Sequence, residues 1–407
     1  MGDSQEKLRI LHTVPYAPVP PDSGGKLVPY HHATGLARRG HALTLIAPIR
    51  RESDEEALRS LSGSVEVRSV SCAAPSRGRI VGRILKSSLS YRVTRHTLPA
   101  VARETARLLE GDHFDVVLLD TLFTAYLIPL IRESARKTPV VLVNHNFESL
   151  LFRRYLSGRS PFVRAAGLIE LARVRRAEKE AAAAADRVLV LSGRDREGLL
   201  ELSPEARISV LPPGAPVRPG ERIPPPERPD TVIFLGNYRW EPNRQAARWL
   251  AQEIFPRIRR AAPDAELRLA GEDPDSAIAP LHDPGRGIRV LGHIEDAATT
   301  IQGAAIFAVP LRVGGGVRLK ILEAMANERP VVSTTLGAEG IPYVSGEHLL
   351  EADGEEAIAA GIILLIRDRE RAARIARAGR ELVEKKFGWD RIVERLEAFL
   401  FETVRCN

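Results

Sequence analysis

Cysteine is nearly absent from these 407 residues: Cys72 and Cys406 are the whole complement. Two thiols so far apart make neither a disulfide framework nor a metal-ligand spacing, so a reducing cytosol is the expected compartment. Long apolar runs are missing as well. Nothing approaches the roughly 18 residues of a spanning helix, and the polar start from Met1 to Lys7 is no signal peptide. No aromatic-rich RNA motif and no zinc finger is present, which sets nucleic acid aside as a partner. No G-x-G-x-x-G follows the first apolar run, which argues against a dinucleotide dehydrogenase. No repeat with a period of about 20–50 residues is evident.

What is there is an ordinary soluble composition, 44% apolar and 27% charged, on a chain longer than one core usually serves. Two domains are expected. The formal charge of +7 favours anionic partners, a phosphorylated donor, an anionic membrane surface or nucleic acid, and by itself chooses none of them. Short β-branched runs alternate with helical patterns. Ile10 to Val14, Ala42 to Ala47, Val116 to Leu119, Val140 to Val143 and Val188 to Leu191 read as strands, with a helix over Tyr30 to Arg39. Strands apolar on both faces, separated by helices, imply a parallel α/β sheet.

Eight prolines between Leu211 and Asp230 then break the pattern. Proline at that density continues neither a helix nor a central strand, so the stretch reads as an interdomain linker. A second α/β series follows. Its strands are Thr231 to Leu235, Glu266 to Ala270, Ile288 to Leu291, Ile306 to Val309 and Val331 to Ser333. Its helices are Asn243 to Arg260, Leu319 to Asn327 and Glu355 to Phe387. The tail from Asp390 to Val404 carries Ile392, Val393, Leu396, Phe399 and Leu400 on one stripe that needs a surface to cover it. The expected domains are 1–211, a linker over 212–230, 231–387, and a tail helix over 388–407.

The most informative segment is VGGGVRLKILEAMA, Val313 to Ala326. A strand feeds Gly314, Gly315 and Gly316, and Val317 leads into a helix with Arg318 and Lys320 in its first turn. Glycines let backbone approach a ligand with no Cβ in the way, and free N–H groups at a helix start favour anions. Basic side chains normally avoid that end of the helix dipole. Two of them there point to an anion such as a diphosphate; a solvated surface turn is the bland alternative. One turn on, Glu323 is suited to accept hydrogen bonds from vicinal hydroxyls, as in a ribose, or simply to pair with Lys320.

Three further clusters sit where such sheets bind ligands. DSGGK, Asp22 to Lys26, places Gly24 and Gly25 after the first strand, as a second anion-approach loop or a simple turn. VVLVNHNFE ends an apolar strand in Asn144, His145, Asn146 and Glu148. FLGNYRWEPN ends another in Gly236, Arg239 and Trp240, the tryptophan serving packing or a lid. Ser192, Gly271 with Glu272, and His293 with Ile294 in LGHIED are weaker strand-end signals.

In these motifs and their order the chain resembles the retaining GT-B glycosyltransferases of family four, along nearly its whole length. The glycine loop and helix are similar to those of sugar transferases of exopolysaccharide systems. The resemblance implies a GT-B fold: two Rossmann-like, doubly wound α/β domains facing across a cleft, acceptor domain first and nucleotide-sugar domain second. It implies that the tail helix crosses back to the first domain. Glu323 matches the second glutamate of the family's E-x7-E pattern, which grips the ribose. The first glutamate falls at Gly315 and is missing, so N–H groups of Gly315 to Val317 take over the donor sugar. His145 is implied to face that sugar. Arg239 is implied to neutralise the diphosphate, with Arg318 or Lys320 in place of the family's usual loop lysine. Gly24, Gly25, Gly236, Gly271, His293, Ile294 and Gly314 line the donor, and Lys26, Asn146 and Glu148 lie on the acceptor side.

The implied reaction moves a sugar from a GDP- or UDP-linked donor to a sugar, small-molecule or lipid-linked hydroxyl, with retention. The leaving diphosphate gathers negative charge, which fixed cations and N–H dipoles stabilise. No Asp-x-Asp lies on a strand end; Asp273 and Asp275 flank Pro274 in a turn. No metal or cofactor is therefore expected. A nucleotide-sugar epimerase or phosphorylase on the same fold, or a degenerate non-catalytic subunit, are the competing readings.

Val67 to Arg103 contains no acidic residue, and Arg77, Arg79, Arg83 and Lys86 there interleave with Ile80, Val81, Ile84, Leu85 and Leu89. A second basic cluster runs from Arg153 to Arg176. Such mixtures fit either a membrane-surface face or a solvated one. The expected location is cytoplasmic, with peripheral attachment to the inner membrane face as an option.

Overall fold

A computed structural model describes residues 6–72, 90–273 and 276–406. It divides into two compact units, Met1–Pro212 with Asp390–Asn407, and Pro213–Trp389.

The first unit is built on seven parallel strands: β1 (Arg9–Thr13), β2 (Ala42–Ile49), β3 (Glu66–Ser71), β4 (Val116–Asp120), β5 (Val140–Asn144), β6 (Arg187–Val190) and β7 (Ile208–Val210). Their order is β3-β2-β1-β4-β5-β6-β7. Strands β4 and β5 are buried along their whole length, because helices cover both faces of the sheet. The order reverses between β1 and β4, which are direct neighbours. Crossovers leave that gap from opposite faces, and the crevice beyond the strand ends is where such sheets hold ligands.

The second unit repeats the plan with six parallel strands: β8 (Thr231–Leu235), β9 (Glu266–Ala270), β10 (Ile288–Gly292), β11 (Ile306–Val309), β12 (Val331–Ser333) and β13 (Leu350–Glu351). The order β10-β9-β8-β11-β12-β13 reverses between β8 and β11. Its core runs from Val232 and Phe234 through Phe307 and Ile321 to Phe387.

Several elements differ from the sequence expectation. The first helix spans Gly24–Arg38 and contains Pro29, so Gly24 and Gly25 are helical rather than a loop before it. The helical run expected from Asn243 to Arg260 passes through a wider turn at Leu250–Ile254, between helices Glu241–Trp249 and Phe255–Ala261. The run from Glu355 to Phe387 breaks at Asp368, whose carboxylate caps the next helix through the Arg371 N–H. From Pro213 onward the proline-rich stretch is part of the second unit rather than a separate connector. Arg329 donates to the Pro224 carbonyl at 2.6 Å, and Arg268 pairs with Glu227 at 2.9 Å.

The helix Trp389–Arg405 packs in the first unit. Glu397 on it accepts from Arg39 Nε and from His41 Nε2, each at 2.8 Å. His41 Nδ1 in turn accepts from the Leu8 N–H at 3.0 Å. Gly35 lies where this helix crosses the first one; a Cβ there would overlap Val393. The buried stripe Ile392, Val393, Leu396 and Leu400 finds its cover here.

Candidate active site

Each unit gathers polar side chains at its own switch point. In the first unit the focus is Asp120, fully buried at the end of β4. Its carboxylate takes two imidazole N–H donors: His12 Nε2, near the end of β1, at 2.6 Å, and His145 Nε2, just past the end of β5, at 2.5 Å. Burial alone would raise the Asp120 pKa, but the two histidines outweigh it and hold the carboxyl below its ordinary range. With Nε2 of each ring committed to the carboxylate, Nδ1 is the free position. His145 Nδ1 and the neighbouring Asn144 Oδ1 are buried and have no hydrogen-bond partner among the described residues. An Nδ1 lone pair so placed accepts a hydrogen bond from a ligand hydroxyl.

Around this core lie Tyr16, Glu148 and Arg92. Burial, with Asp120 and Glu148 nearby, pushes the Tyr16 phenol up, so it stays a neutral donor. Its hydroxyl lies against Gly25, where a Cβ would overlap it. Glu148 opens the helix Glu148–Ser157 and is buried; it takes Arg92 Nη2 at 3.0 Å and Asn146 Nδ2 at 3.3 Å. Glu178, from the helix Pro161–Ala184, accepts from the Ser149 N–H at 3.3 Å, and burial raises its pKa to about 8. Lys26 is turned to Asp22, 3.0 Å away.

In the second unit the focus is Lys320, on the helix Leu319–Ala326 that follows β11. Its ammonium reaches back across the switch point to the end of β8. It donates to the Leu235 carbonyl at 2.6 Å and to Asn243 Oδ1 at 3.1 Å, and it lies 4.7 Å from the centre of the Phe234 ring. Burial and the Arg318 charge lower its pKa to about 7, against a smaller opposing pull from Glu323. Arg318, buried at the helix start, donates to the Gly315 carbonyl and stacks over Trp240 at 5.6 Å. That gives Trp240 a packing partner. Gly314 has φ +143° and lies under the Arg318 guanidinium, where a Cβ would overlap it, so the turn demands glycine. Burial raises the Glu323 pKa, and no hydrogen bond from a described residue reaches its carboxylate.

Gly236 and Gly271 end β8 and β9 side by side; Gly271 has φ +127°, and a Cβ there would overlap the Gly236 carbonyl. Arg239 is engaged elsewhere. It is exposed and forms a two-pronged pair with Glu272, at 3.2 and 3.3 Å. His293 is exposed after β10, and Ile294 packs on the core. Ser192 caps its helix through the Asp195 N–H. Asp273 is a turn residue that accepts from the Ala277 and Ile278 N–H groups, while Asp275 lies outside the described residues. So do Arg77, Arg79, Arg83 and Lys86 of the first basic stretch.

Sequence reasoning passed over His12, Asp120 and Tyr16, and took Arg92 only as one of the cations of the basic stretch Val67 to Arg103. Asp120 carried a signal of the kind used for His145, a polar residue closing the apolar strand VVLLD. His12 carried none, since a lone histidine inside a strand is usually core.

The family described as Glycosyltransferase Family 4 matches residues 23–218, and Glycosyl transferases group 1 matches residues 229–368. The chain is similar to a Klebsiella pneumoniae protein described as an uncharacterized 44.6 kDa protein in cps region, 26% identical over 85% of this chain and 88% of that one. It is also similar to a Corynebacterium glutamicum GDP-mannose-dependent monoacylated alpha-(1-6)-phosphatidylinositol monomannoside mannosyltransferase, 31% identical over 36% of this chain and 42% of that one, less than half of either. In fold it is similar to Anabaena Alr3699/HepE, solved in complex with UDP and glucose, with a TM-score of 0.66 and 14% identity over 97% of this chain and 100% of that one. Two Rossmann-like parallel-sheet units of seven and six strands are the GT-B architecture. The two family matches do not overlap and take in most of both units, and on them the chain belongs to glycosyltransferase family 4 and is a glycosyltransferase.

Proposed function

We propose that this glycosyltransferase takes its sugar from a nucleoside diphosphate donor and passes it, with retention and without a metal, to a hydroxyl of a sugar or lipid-linked acceptor. The observation that carries the reading is Lys320. A cation held at the β8/β11 switch point, beside a glycine turn and one helical turn from an unengaged carboxylate, is what a nucleoside diphosphate needs. The named relatives support it: the Corynebacterium protein is GDP-mannose-dependent, and the Anabaena structure holds UDP.

The bond between the anomeric carbon and the diphosphate oxygen breaks, and its electron pair goes to that oxygen. The acceptor oxygen bonds to the same carbon from the same face, and its proton passes to the departing phosphate. Arg318, Lys320 and the N–H groups of Gly315 to Val317 stabilise the charge that grows there. Glu323 accepts from the two ribose hydroxyls. His145, with Nε2 committed to Asp120, accepts from a sugar hydroxyl through Nδ1. Arg239 joins the diphosphate only by exchanging Glu272 for it.

Titration calorimetry with UDP, GDP and ADP tests the donor claim. At least one is expected to bind, and Lys320→Ala to weaken that binding at least about tenfold. No response to any of the three at millimolar concentration sinks the proposal. Proton NMR of the product settles the anomeric outcome, and unchanged turnover in excess chelator is the expected result for metal independence. Sugar epimerisation in the absence of acceptor would move the chain to the epimerase reading.

A further inference from the structure

The helices Glu148–Ser157 and Pro161–Ala184 form a tight antiparallel hairpin in the first unit. Leu156 packs on Gly167, where a Cβ would collide with it, and further down the Ser149 N–H meets Glu178. Inside the hairpin Leu150, Leu156 and Val174 are buried. Its tip is the reverse. Phe162 is 89% exposed, Ile169 63%, Leu168 60% and Val163 46%.

An isolated exposed leucine needs no explanation, but a cluster does. Among the described residues nine large apolar or aromatic side chains are exposed, and these four fall within eight positions. Phe162, Ile169 and the exposed Ala165 and Ala172 recur at helical spacing, so they form one stripe. Beyond Ala172 the same stripe continues as Arg175, Arg176 and Lys179, all exposed, with Arg176 paired to Glu180 at 2.6 Å. The charge around the tip has one sign. From Ser149 to Ile169 there are four arginines, at 153, 154, 159 and 164, and no acidic residue. The Arg159 guanidinium lies over the Tyr155 ring at 4.4 Å and donates to its hydroxyl at 2.7 Å, an aromatic–cation pair at the border of the apolar patch.

We propose that this hairpin tip docks on an anionic lipid surface. Phe162, Leu168 and Ile169 enter the boundary between headgroups and acyl chains, and the arginines behind them meet lipid phosphates. The charge pattern selects this occupant. A second copy of the chain would have to offer acid to the tip, whereas an anionic bilayer offers it at every headgroup. Each arginine near such a surface adds about fivefold to partitioning, and added salt removes that gain. The inference goes beyond the donor site and stands on residues that take no part in it.

The full chain is mixed with vesicles of phosphatidylcholine alone, or with about one third phosphatidylglycerol, and floated through a density gradient. Binding to the anionic vesicles is expected to exceed that to phosphatidylcholine by at least about tenfold. Phe162→Ser with Leu168→Ser, and separately Arg153→Gln with Arg164→Gln, are each expected to lower it about tenfold or more. Circular dichroism and the nucleotide response serve as controls and are expected to stay as in the parent. Phe162→Trp is expected to give a blue-shifted emission on anionic vesicles, quenched by brominated acyl chains. Equal binding of parent and variants, no spectral shift at position 162, or a vesicle-independent dimer that Phe162→Ser dissolves, would overturn the proposal. Failure of the donor reading would show instead as a missing nucleotide response in a chain that still floats.

Discussion

The Asp120 carboxylate holds His145 by its Nε2 at 2.5 Å and, through its second oxygen, ties that ring to His12. Asparagine at 120 keeps the shape but removes the charge, and its amide would face at least one imidazole N–H with an N–H of its own. One ring must then change tautomer or turn. Asp120→Asn is therefore expected to lower kcat by at least about tenfold, with the donor KM changed far less. Steady-state kinetics at two pH values check it; an unchanged kcat would mean that the ring's setting does not matter. Asp120→Ala leaves two buried rings without their acceptor and is expected to cost about 3 kcal/mol of stability, read from urea unfolding.

Acid is expected to weaken the first unit early. Burial pulls His32 down to about 3, His31 to about 4 and His96 to about 3. Below the unfolded-chain value of 6.5, unfolding takes up a proton at each ring that the fold keeps neutral. Stability is thus complete above about pH 6.5 and is lost as pH falls toward those folded values, by at most about 1.4 kcal/mol per pH unit for the buried His32. The depressed Asp120 adds its own loss below its ordinary carboxyl range. Calorimetric scans at pH 7 and pH 5 should show one transition moving down, and His32→Gln should flatten that dependence. A melting temperature indifferent to pH across this window would contradict it.

Lys320 titrates near the pH of the assay. With its pKa lowered to about 7, the free protein near neutrality holds both forms of the amine. A bound diphosphate favours the ammonium, so binding takes up a proton. Affinity is expected to be full below about pH 7 and to fall about tenfold per unit above it, until the bound-state pKa is passed. Calorimetry in buffers of different ionisation enthalpy reads the proton directly. Lys320→Met should bind weakly and without this slope.

Glu323 and Lys320 are expected to separate two parts of one ligand. Glu323→Gln should weaken a nucleoside diphosphate by about tenfold to a hundredfold, the loss of two hydrogen bonds to a carboxylate. It should leave inorganic pyrophosphate unaffected, whereas Lys320→Met should weaken both. A Glu323→Gln protein that loses pyrophosphate as well would place the carboxylate's role elsewhere.

Gly271→Ala is expected to prevent the second unit from folding normally. The residue has φ +127°, and the added methyl group meets backbone, the Gly236 carbonyl, which has no flexible end to give way. Gly63→Ala, in open space, is the matched control. Equal melting temperatures for the two would refute the argument.

The central strands were legible because β4, β5, β11 and β12 are buried on both faces and therefore apolar up to their closing residues, Asp120, Asn144 and Ser333 in three of the four. Of the edge strands β10 was read, as Ile288 to Leu291, but β3, β7 and β13 were not. β3 reads Glu-Val-Arg-Ser-Val-Ser and β7 and β13 have three and two residues, too little for any period to stand out. The first helix was placed late because its opening residues, two glycines and Pro29, are poor helix formers that tertiary packing overrides. Lys320, His145 and Glu323 were singled out from their place after apolar strands. Arg239 was singled out the same way, yet its charge is met locally by Glu272, a pairing that only the fold brings together. His12 and Asp120 lie over a hundred positions apart, and nothing local joins them.

The helix Trp389–Arg405 is translated after the whole of the second unit, yet Glu397 and Val393 on it complete the first. During synthesis the half that leaves the ribosome first must therefore wait, with Gly35 and His41 uncovered, until the half made later has been finished. A released chain that ends at Trp389 should carry a protease-resistant second half and a digestible first one.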